Sequence, residues 1–187
     1  EGLNTGGMGT VAPNPYYTSD IAKECMEKIF LPTIEGMKKE GRTFKGCLYF
    51  GLMLTADGPK VIEYNCRFGD PEAQVVLPLL ESDLLEVMQA VTEERLAEQE
   101  VKFSSGAACC VVMASDGYPK KYEKGYEITI EDSVKDYVYV AGAKIVDGKL
   151  LTDGGRVLGV IAKGDDIAKA IDAAYKNVDF VHFDNQY

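Results

Sequence analysis

The sequence predicts an α+β fold, in which helices and an antiparallel hairpin are followed by a mostly β region with one helix. Three observations predict it. Apolar residues recur at helical spacing after Ser19, as in an amphipathic helix. A continuous apolar run over 46–55 leads into the hairpin turn signal Asp57-Gly58. Short strand-like runs separated by turns rich in Gly and Asp dominate after residue 105.

The first elements follow from glycine, proline and capping residues. Three glycines within Asn4–Gly9 predict an irregular loop, because glycine loses much backbone entropy in a regular element. A helix follows, capped by Thr18 or Ser19. Pro32 either kinks this helix or begins a second one, and Gly41 ends the helical pattern.

A hairpin and two more helices complete the first half of the chain. The hairpin strands are predicted over 46–55 and 60–65. One helix is expected over 72–80 and another after a cap at Ser82. The pattern turns polar around 98–105, and we place a domain boundary there, which gives domains 1–103 and 104–187.

The second domain is predicted to be mainly antiparallel β. Strands are expected over 107–114, 126–130, 138–146 and 156–162, and a final helix over 165–178. The helical spacing predicts an inward face made of Ile167, Ile171, Ala174, Tyr175 and Val178.

Composition limits the partners and the compartment. The 187 residues include 30 acidic and 20 basic side chains, and a net charge of −10 argues against nucleic acid or an anionic membrane surface as the main partner. The sequence has no apolar run of 18 residues, so no transmembrane helix is expected. Five cysteines without a C-x-x-C pair predict reduced thiols and a cytoplasmic location. Because the first residue is Glu1 and not Met, we interpret the chain as a piece of a longer protein.

The second hairpin strand carries the most informative polar residues. Glu63 and Asn65 are two apart, so both side chains point to one face, roughly 6.6 Å apart along the strand. A carboxylate and an amide oxygen that converge suit a hard cation such as Mg²⁺. Ile62 and Tyr64 point the other way and are expected to meet apolar surroundings. Arg67 follows, where a guanidinium can hold a phosphoryl group or an oxyanion.

Two further features have both a structural and a functional interpretation. Asp70 and Glu72 lie near a predicted helix start, where they either act chemically or merely cap the helix. The backbone N–H groups between Thr5 and Gly9 either bind an anion or belong to an ordinary surface turn.

Four blocks of the sequence resemble one enzyme family. The run Val61-Ile62-Glu63-Tyr64-Asn65-Cys66-Arg67 resembles the Glu-x-Asn-x-Arg end of the ATP-grasp ligase superfamily. Its continuation, Arg67-Phe68-Gly69-Asp70-Pro71-Glu72-Ala73-Gln74, resembles the signature of the glycinamide ribonucleotide synthetases, also called phosphoribosylamine–glycine ligases. The loop Asn4–Gly9 and the stretch Gly154-Gly155-Arg156-Val157-Leu158 resemble two other blocks of that family, in the same order.

The resemblance implies a fold and a reaction. The fold would be the C-terminal half of an ATP-grasp domain, an antiparallel sheet with helices, followed by a small β domain with one helix. The reaction would join glycine to 5-phosphoribosylamine through a glycyl phosphate, with ATP as co-substrate, in purine synthesis. Because the family's N-terminal domains precede these blocks, the chain by itself is expected not to turn over. The alternatives are another ATP-grasp carboxylate–amine ligase or carboxylase, and a non-catalytic interaction module.

The resemblance also implies roles for individual residues. Glu63 and Asn65 would hold Mg²⁺ or Mn²⁺ against the ATP phosphates. Catalytic roles would fall to Arg67, Asp70 and Glu72. Substrate contacts would come from Asn4, Thr5, Gly6, Gly7, Gly9 and Arg156.

Overall fold

The computed structural model describes residues 2–187; Glu1, the first residue of the predicted N-terminal domain, lies outside the described residues. The chain forms two compact units. The hairpin unit comprises Pro13–Gly69 and Leu80–Phe103. The sheet unit comprises the residues up to Ala12, Asp70–Leu79 and Ser104–Tyr187. The boundary predicted near residue 103 stays a prediction.

The hairpin unit begins with a continuous helical segment. It consists of α1 (Ser19–Cys25), one π-helical turn (Met26–Phe30) and α2 (Leu31–Lys39). The Thr18 hydroxyl accepts a hydrogen bond from the Ile21 N–H at 3.4 Å, so Thr18 is the cap of α1. Pro32 lies in the first turn of α2, directly after the π-helical turn. Pro32 thus coincides with the start of a second helix, α2, although the helical run is unbroken there.

The predicted hairpin is present as β2 (Tyr49–Thr55) and β3 (Gly58–Asn65), paired antiparallel with a bulge between Gly51 and Leu52. The first strand begins three residues later than predicted. Gly46 has a φ of +126°, which is incompatible with an extended strand. The Phe50 ring packs between those of Phe30 and Tyr64, with centroids 4.4 Å and 5.3 Å away.

The next helix of the hairpin unit is α4 (Leu84–Thr92), and its cap differs from the one predicted. The helical turn that precedes it in the chain, α3 (Ala73–Val76), belongs to the sheet unit. The Asp83 carboxylate accepts hydrogen bonds from the first-turn N–H groups of α4, so the predicted cap at Ser82 is wrong. The Ser82 hydroxyl instead donates to the Glu100 carbonyl at 3.2 Å and accepts from the Lys102 N–H at 2.8 Å.

The sheet unit is built on one sheet of four antiparallel strands. In chain order they are β1 (Gly9–Ala12), β4 (Ala107–Ala114), β6 (Val138–Val140) and β9 (Arg156–Gly164). Their order across the sheet is β1-β4-β9-β6. Two smaller antiparallel pairs join β7 (Ala143–Val146) to β8 (Lys149–Thr152), and β5 (Thr129–Ile130) to β10 (Val181–His182). The α+β class predicted from the sequence is confirmed.

Both faces of the four-stranded sheet are covered. On one face, Cys110 and Ile161 pack with Val75 of α3. On the other, Cys109 packs with Ala170 and Ala174 of α5 (Ile167–Val178). Burial raises the pKa of the Cys110 thiol to about 12. All five cysteines are free, as predicted, namely Cys25, Cys47, Cys66, Cys109 and Cys110.

Several strand and helix details differ from the pattern-based expectation. The strand predicted over 138–146 is two strands, because the chain turns sharply where the Ala143 N–H donates to the Ala141 carbonyl at 3.0 Å. The helix predicted over 72–80 is the single turn of α3 followed by a 3₁₀ turn, Leu77–Leu79. Tyr175 is 59% exposed, so its predicted inward orientation is wrong. Within residues 2–187, every helix is too short or too polar to cross a membrane.

Candidate functional site

The polar pair on β3 has the geometry that strand alternation predicts. The Asn65 Nδ2 donates to the Glu63 Oε1 at 3.1 Å, which confirms that the two side chains share a face. Gly51 lies directly opposite Glu63 in the hairpin. A Cβ at position 51 would lie 2.8 Å from the Glu63 Cγ, so only glycine leaves the carboxylate this orientation. The signal that the sequence offers is a glycine inside an apolar strand, which often marks a close approach.

The opposite face of β3 is less buried than predicted. Ile62 is 60% exposed, so the prediction that it meets apolar surroundings is wrong. Tyr64 contacts the Phe50 ring edge-on, and its hydroxyl lies 3.5 Å from the Thr33 hydroxyl. The two faces of the strand therefore differ in chemistry, with carboxylate and amide on one and mixed apolar groups on the other.

The donor set of the β3 pair fits a hard divalent cation. Glu63 offers carboxylate oxygens, and half a turn of the Asn65 amide replaces its NH₂ by its oxygen, since amide O and N are assigned from hydrogen bonding. Within residues 2–187, three or more His, Cys, Asp or Glu side chains nowhere gather into a metal-binding group. The pair would therefore supply part of a coordination shell and leave the rest to water and phosphate oxygens.

Arg67 lies just beyond the end of β3 and is exposed. Its Nη1 donates to the Phe68 carbonyl at 2.8 Å, which fixes the side chain beside its own backbone. A guanidinium carries five N–H donors, so this single bond leaves most of them available for an anion.

A second cluster lies in the sheet unit and is centred on Arg156, the first residue of β9. The Arg156 Nη2 donates to the Asp70 Oδ2 at 2.9 Å, and its Nη1 donates to the Asp70 and Gly7 carbonyls at 3.1 Å each. The other carboxylate oxygen of Asp70 accepts from the Gln74 Nε2 at 2.6 Å. Asp70 therefore holds side chains in place and does not cap the helix.

The glycine loop packs against this cluster. A Cβ on Gly6 would lie 2.9 Å from the Arg156 Cζ, and one on Gly7 would lie 2.5 Å from the Pro71 Cδ. At Gly7 a side chain would overlap the proline ring, whereas at Gly6 the end of the Arg156 side chain would have to move. The loop is irregular over 4–8, as predicted, but Gly9 begins β1 opposite Val111.

The backbone N–H groups of the glycine loop differ in whether they have a hydrogen-bond acceptor. The Gly6 N–H donates to the Tyr118 hydroxyl at 2.9 Å, so it is engaged within the protein. The N–H groups of Thr5, Gly7 and Met8 have no acceptor within residues 2–187. Thr5, Met8 and Tyr118 line a cavity of about 720 Å³. The anion-binding interpretation therefore applies to three N–H groups beside a cavity.

The remaining predicted residues have simpler environments. Glu72 is partly buried at the N-cap position of α3, and its side chain makes no capping hydrogen bond. Asn4 is exposed. The sheet unit thus brings together Gly6, Gly7, Asp70 and Arg156, and the hairpin unit brings together Glu63 and Asn65. No sequence pattern marks Tyr118, whose hydroxyl accepts the Gly6 N–H.

Comparison with known proteins assigns the family. A family model described as phosphoribosylglycinamide synthetase, ATP-grasp (A) domain, matches residues 1–73. A second, described as phosphoribosylglycinamide synthetase, C domain, matches residues 108–187. The chain belongs to the phosphoribosylglycinamide synthetase family. The resemblance seen in the sequence is thereby confirmed, and the synthetase A domain includes both polar residues of β3.

Individual synthetases show how much of the family this chain represents. It is 47% identical, over its whole length, to a phosphoribosylamine–glycine ligase of Caldanaerobacter subterraneus subsp. tengcongensis, of which it covers 45%. It is 50% identical over 98% of its length to the trifunctional purine biosynthetic protein adenosine-3 of Gallus gallus, of which it covers 19%. The crystal structure of the Thermotoga maritima phosphoribosylamine–glycine ligase superposes with a TM-score of 0.81 and 36% identity, covering the whole of this chain and 46% of that one. The chain therefore spans less than half the length of these relatives.

Proposed function

We propose that this chain is the part of an ATP-dependent carbon–nitrogen ligase that joins glycine to 5-phosphoribosylamine, giving glycinamide ribonucleotide, ADP and phosphate in purine biosynthesis. The observation that carries the proposal is 47% identity, over the whole chain, to a protein named phosphoribosylamine–glycine ligase. The geometry supports it, because the carboxylate and amide of β3 already converge on one face.

The proposed reaction has two steps, a phosphoryl transfer and an acyl transfer. The terminal phosphoryl group of ATP passes to the glycine carboxylate, which gives glycyl phosphate and ADP. The amine nitrogen of 5-phosphoribosylamine then attacks the acyl carbon, the C–O bond to phosphate breaks, and the amine loses one proton. Both steps place negative charge on phosphoryl oxygens, so positive groups near those oxygens lower the barrier.

The hairpin unit contributes the phosphate-handling groups. Glu63 and Asn65 would hold Mg²⁺ or Mn²⁺, whose charge neutralises phosphate oxygens when it is bound. Arg67 would steady the phosphoryl group with the N–H donors that the Phe68 carbonyl does not occupy. Gly51 keeps the space into which the Glu63 side chain extends.

The sheet unit contributes candidates for substrate contacts. Asp70 and Glu72 would meet the glycine ammonium or the amine nucleophile, and pairing with Arg156 holds the Asp70 carboxylate in one orientation. Arg156 uses three N–H donors internally and retains others for a ribose phosphate. The loop residues proposed to contact substrate are Asn4, Thr5, Gly6, Gly7 and Gly9; among these, Gly6 would act through its backbone position because its N–H is engaged.

The proposed setting is cytoplasmic, supported by five free cysteines. A formal charge of −10 supports small-molecule substrates over nucleic acid or an anionic membrane as partners. Further domains of the family's longer proteins are proposed as the covalent partners of this chain, since the chain covers 45% of its bacterial relative.

The direct test is a coupled ADP-release assay on the complete natural chain that contains this sequence. We expect ADP release that requires both glycine and 5-phosphoribosylamine, and none from the 187-residue chain alone. Glu63→Gln should lower kcat by at least about 100-fold, because it removes a metal ligand. Glu35→Gln, which removes an exposed carboxylate of α2, is the matched control and should leave turnover unchanged.

Three other results would each contradict the proposal. ADP release with a different carboxylate or amine would identify another ATP-grasp ligase. Release with bicarbonate in place of the amine substrate would identify a carboxylase. Calorimetry that detects no binding of Mg²⁺ and ADP to the complete chain would identify a non-catalytic module.

A further inference from the structure

We propose that Tyr118 is a positioning residue that clamps the glycine loop in its substrate-contacting shape. The inference deepens the proposed function and rests on it, because it assumes that the loop over 4–9 contacts substrate. Tyr118 lies 112 residues from Gly6 in the sequence, yet its hydroxyl accepts the Gly6 N–H at 2.9 Å. Nothing in the family match or the polar motifs assigns a role to this tyrosine.

Hydrogen bonds hold the turn that carries Tyr118 in place. Tyr118 follows β4 in a turn where its N–H donates to the Ser115 carbonyl at 3.1 Å. Ser115 is fully buried, and it donates from its hydroxyl to the Gly154 carbonyl and from its N–H to the Gly155 carbonyl. The turn that carries Tyr118 is therefore fastened to the loop that leads into β9.

The aromatic ring of Tyr118 is also held in place by its packing. It lies flush against Gly155, where any Cβ would overlap the ring carbons. Gly155 directly precedes Arg156, whose guanidinium lies against Gly6 and donates to the Gly7 carbonyl. Tyr118 and Arg156 thus grip the same loop, one through the Gly6 N–H and the other through the Gly7 carbonyl.

This arrangement has a consequence for binding. A flexible glycine segment must be ordered before its N–H groups can bind an anion, and that ordering opposes binding. With Gly6 fixed on one side and Gly7 on the other, the unpaired N–H groups of Thr5, Gly7 and Met8 are ordered in advance. Loss of the Tyr118 hydroxyl should weaken substrate binding without changing the chemical step.

The test is Tyr118→Phe in the complete natural chain, which removes the hydroxyl and keeps the ring on Gly155. Hydrogen exchange resolved to the Gly6 amide should become about fivefold faster, as expected for one net hydrogen bond. The KM for glycine or for 5-phosphoribosylamine should rise about fivefold, while kcat and the KM for ATP stay within about twofold.

Tyr122→Phe is the matched control, because the Tyr122 hydroxyl has no hydrogen-bond partner within residues 2–187. Its ring lies 6.2 Å from that of Tyr118, so it also reports on general loosening of the turn. This variant should leave Gly6 exchange and every KM unchanged. Gly155→Ala, which displaces the ring, should reproduce the Tyr118→Phe effects in a larger form.

The clamp is overturned if Gly6 exchange is unchanged in Tyr118→Phe, or if exchange is faster and every KM is unchanged. A fall in kcat with no change in KM would also overturn it, because positioning acts on binding. If the unmodified complete chain lacks ligase activity, the proposed function fails, and the Gly6 exchange rate still decides whether Tyr118 holds the loop.

Discussion

We predict that the Glu63 side chain needs the space that Gly51 leaves beside it, and the variant Gly51→Ala tests this by adding one methyl group. In Gly51→Ala the new Cβ would lie 2.8 Å from the Glu63 Cγ, about 0.6 Å short of the 3.4 Å at which ordinary van der Waals contact begins. The Glu63 carbonyl and N atoms are 3.5 Å and 3.7 Å from the same point, so the backbone tolerates the methyl group. The strain therefore falls on the Glu63 side chain.

The expected loss of metal affinity follows from how the Glu63 side chain relieves this strain. Glu63 is exposed, so its side chain can turn away, and an off-rotamer orientation costs about 0.5–1.5 kcal/mol. The carboxylate that turns away no longer meets the Asn65 amide, now 3.1 Å away. Restoring the paired arrangement for a metal then costs about 1 kcal/mol, which corresponds to a metal affinity about fivefold weaker.

The assay is calorimetric titration of Mn²⁺ into the complete natural chain in the presence of ADP. Gly36→Ala, in the middle of α2, is the matched control, because a Cβ there meets no atom within 4 Å. It should leave Mn²⁺ affinity unchanged and raise the free energy of unfolding by about 0.5–1 kcal/mol, as alanine is the better helix former. An unchanged affinity in Gly51→Ala would refute both the close approach and the assignment of Glu63 as a ligand.

Three further predictions concern the sheet unit and the thiols. Arg156→Lys should lower the free energy of unfolding by about 1–2 kcal/mol, measured by urea titration. A point-like ammonium cannot donate in the right geometry to all three acceptors of Asp70 and Gly7. An unchanged urea midpoint would contradict this. A hydrogen bond from Lys144 holds the pKa of the Asp153 carboxyl below its ordinary value, so its stabilising effect is present above the ordinary pKa and is lost as pH falls through the lowered one. In Lys144→Met, an NMR titration should find that the Asp153 pKa has risen; no rise would exclude Lys144 as the main cause. Cys66, the exposed thiol, should react fastest with a thiol reagent in the native chain, and Cys66→Ser should remove that fast phase; a fast phase that persists would show another thiol to be accessible.

The hairpin and its polar face were predictable because they depend on neighbours in the chain. The turn signal Asp57-Gly58 and the two-residue alternation of β3 suffice to place Glu63 and Asn65 together, and the 3.1 Å contact confirms it. The family followed from contiguous motifs. Helix ends were less certain, because Ser82 and Asp83 both have capping side chains and only the partners of Ser82 at residues 100 and 102 decide between them.

The sequence by itself determined the α+β class, the hairpin that presents Glu63 and Asn65, and the synthetase family. Only the tertiary structure decided that Asp70 is held by Arg156, 86 residues away, and that Tyr118 fastens Gly6. It also decided which glycines have a side chain packed against them, as Glu63 is against Gly51. The physical reason is range: periodicity and turn chemistry report on interactions within a few residues, whereas these contacts exist only after distant segments have packed together.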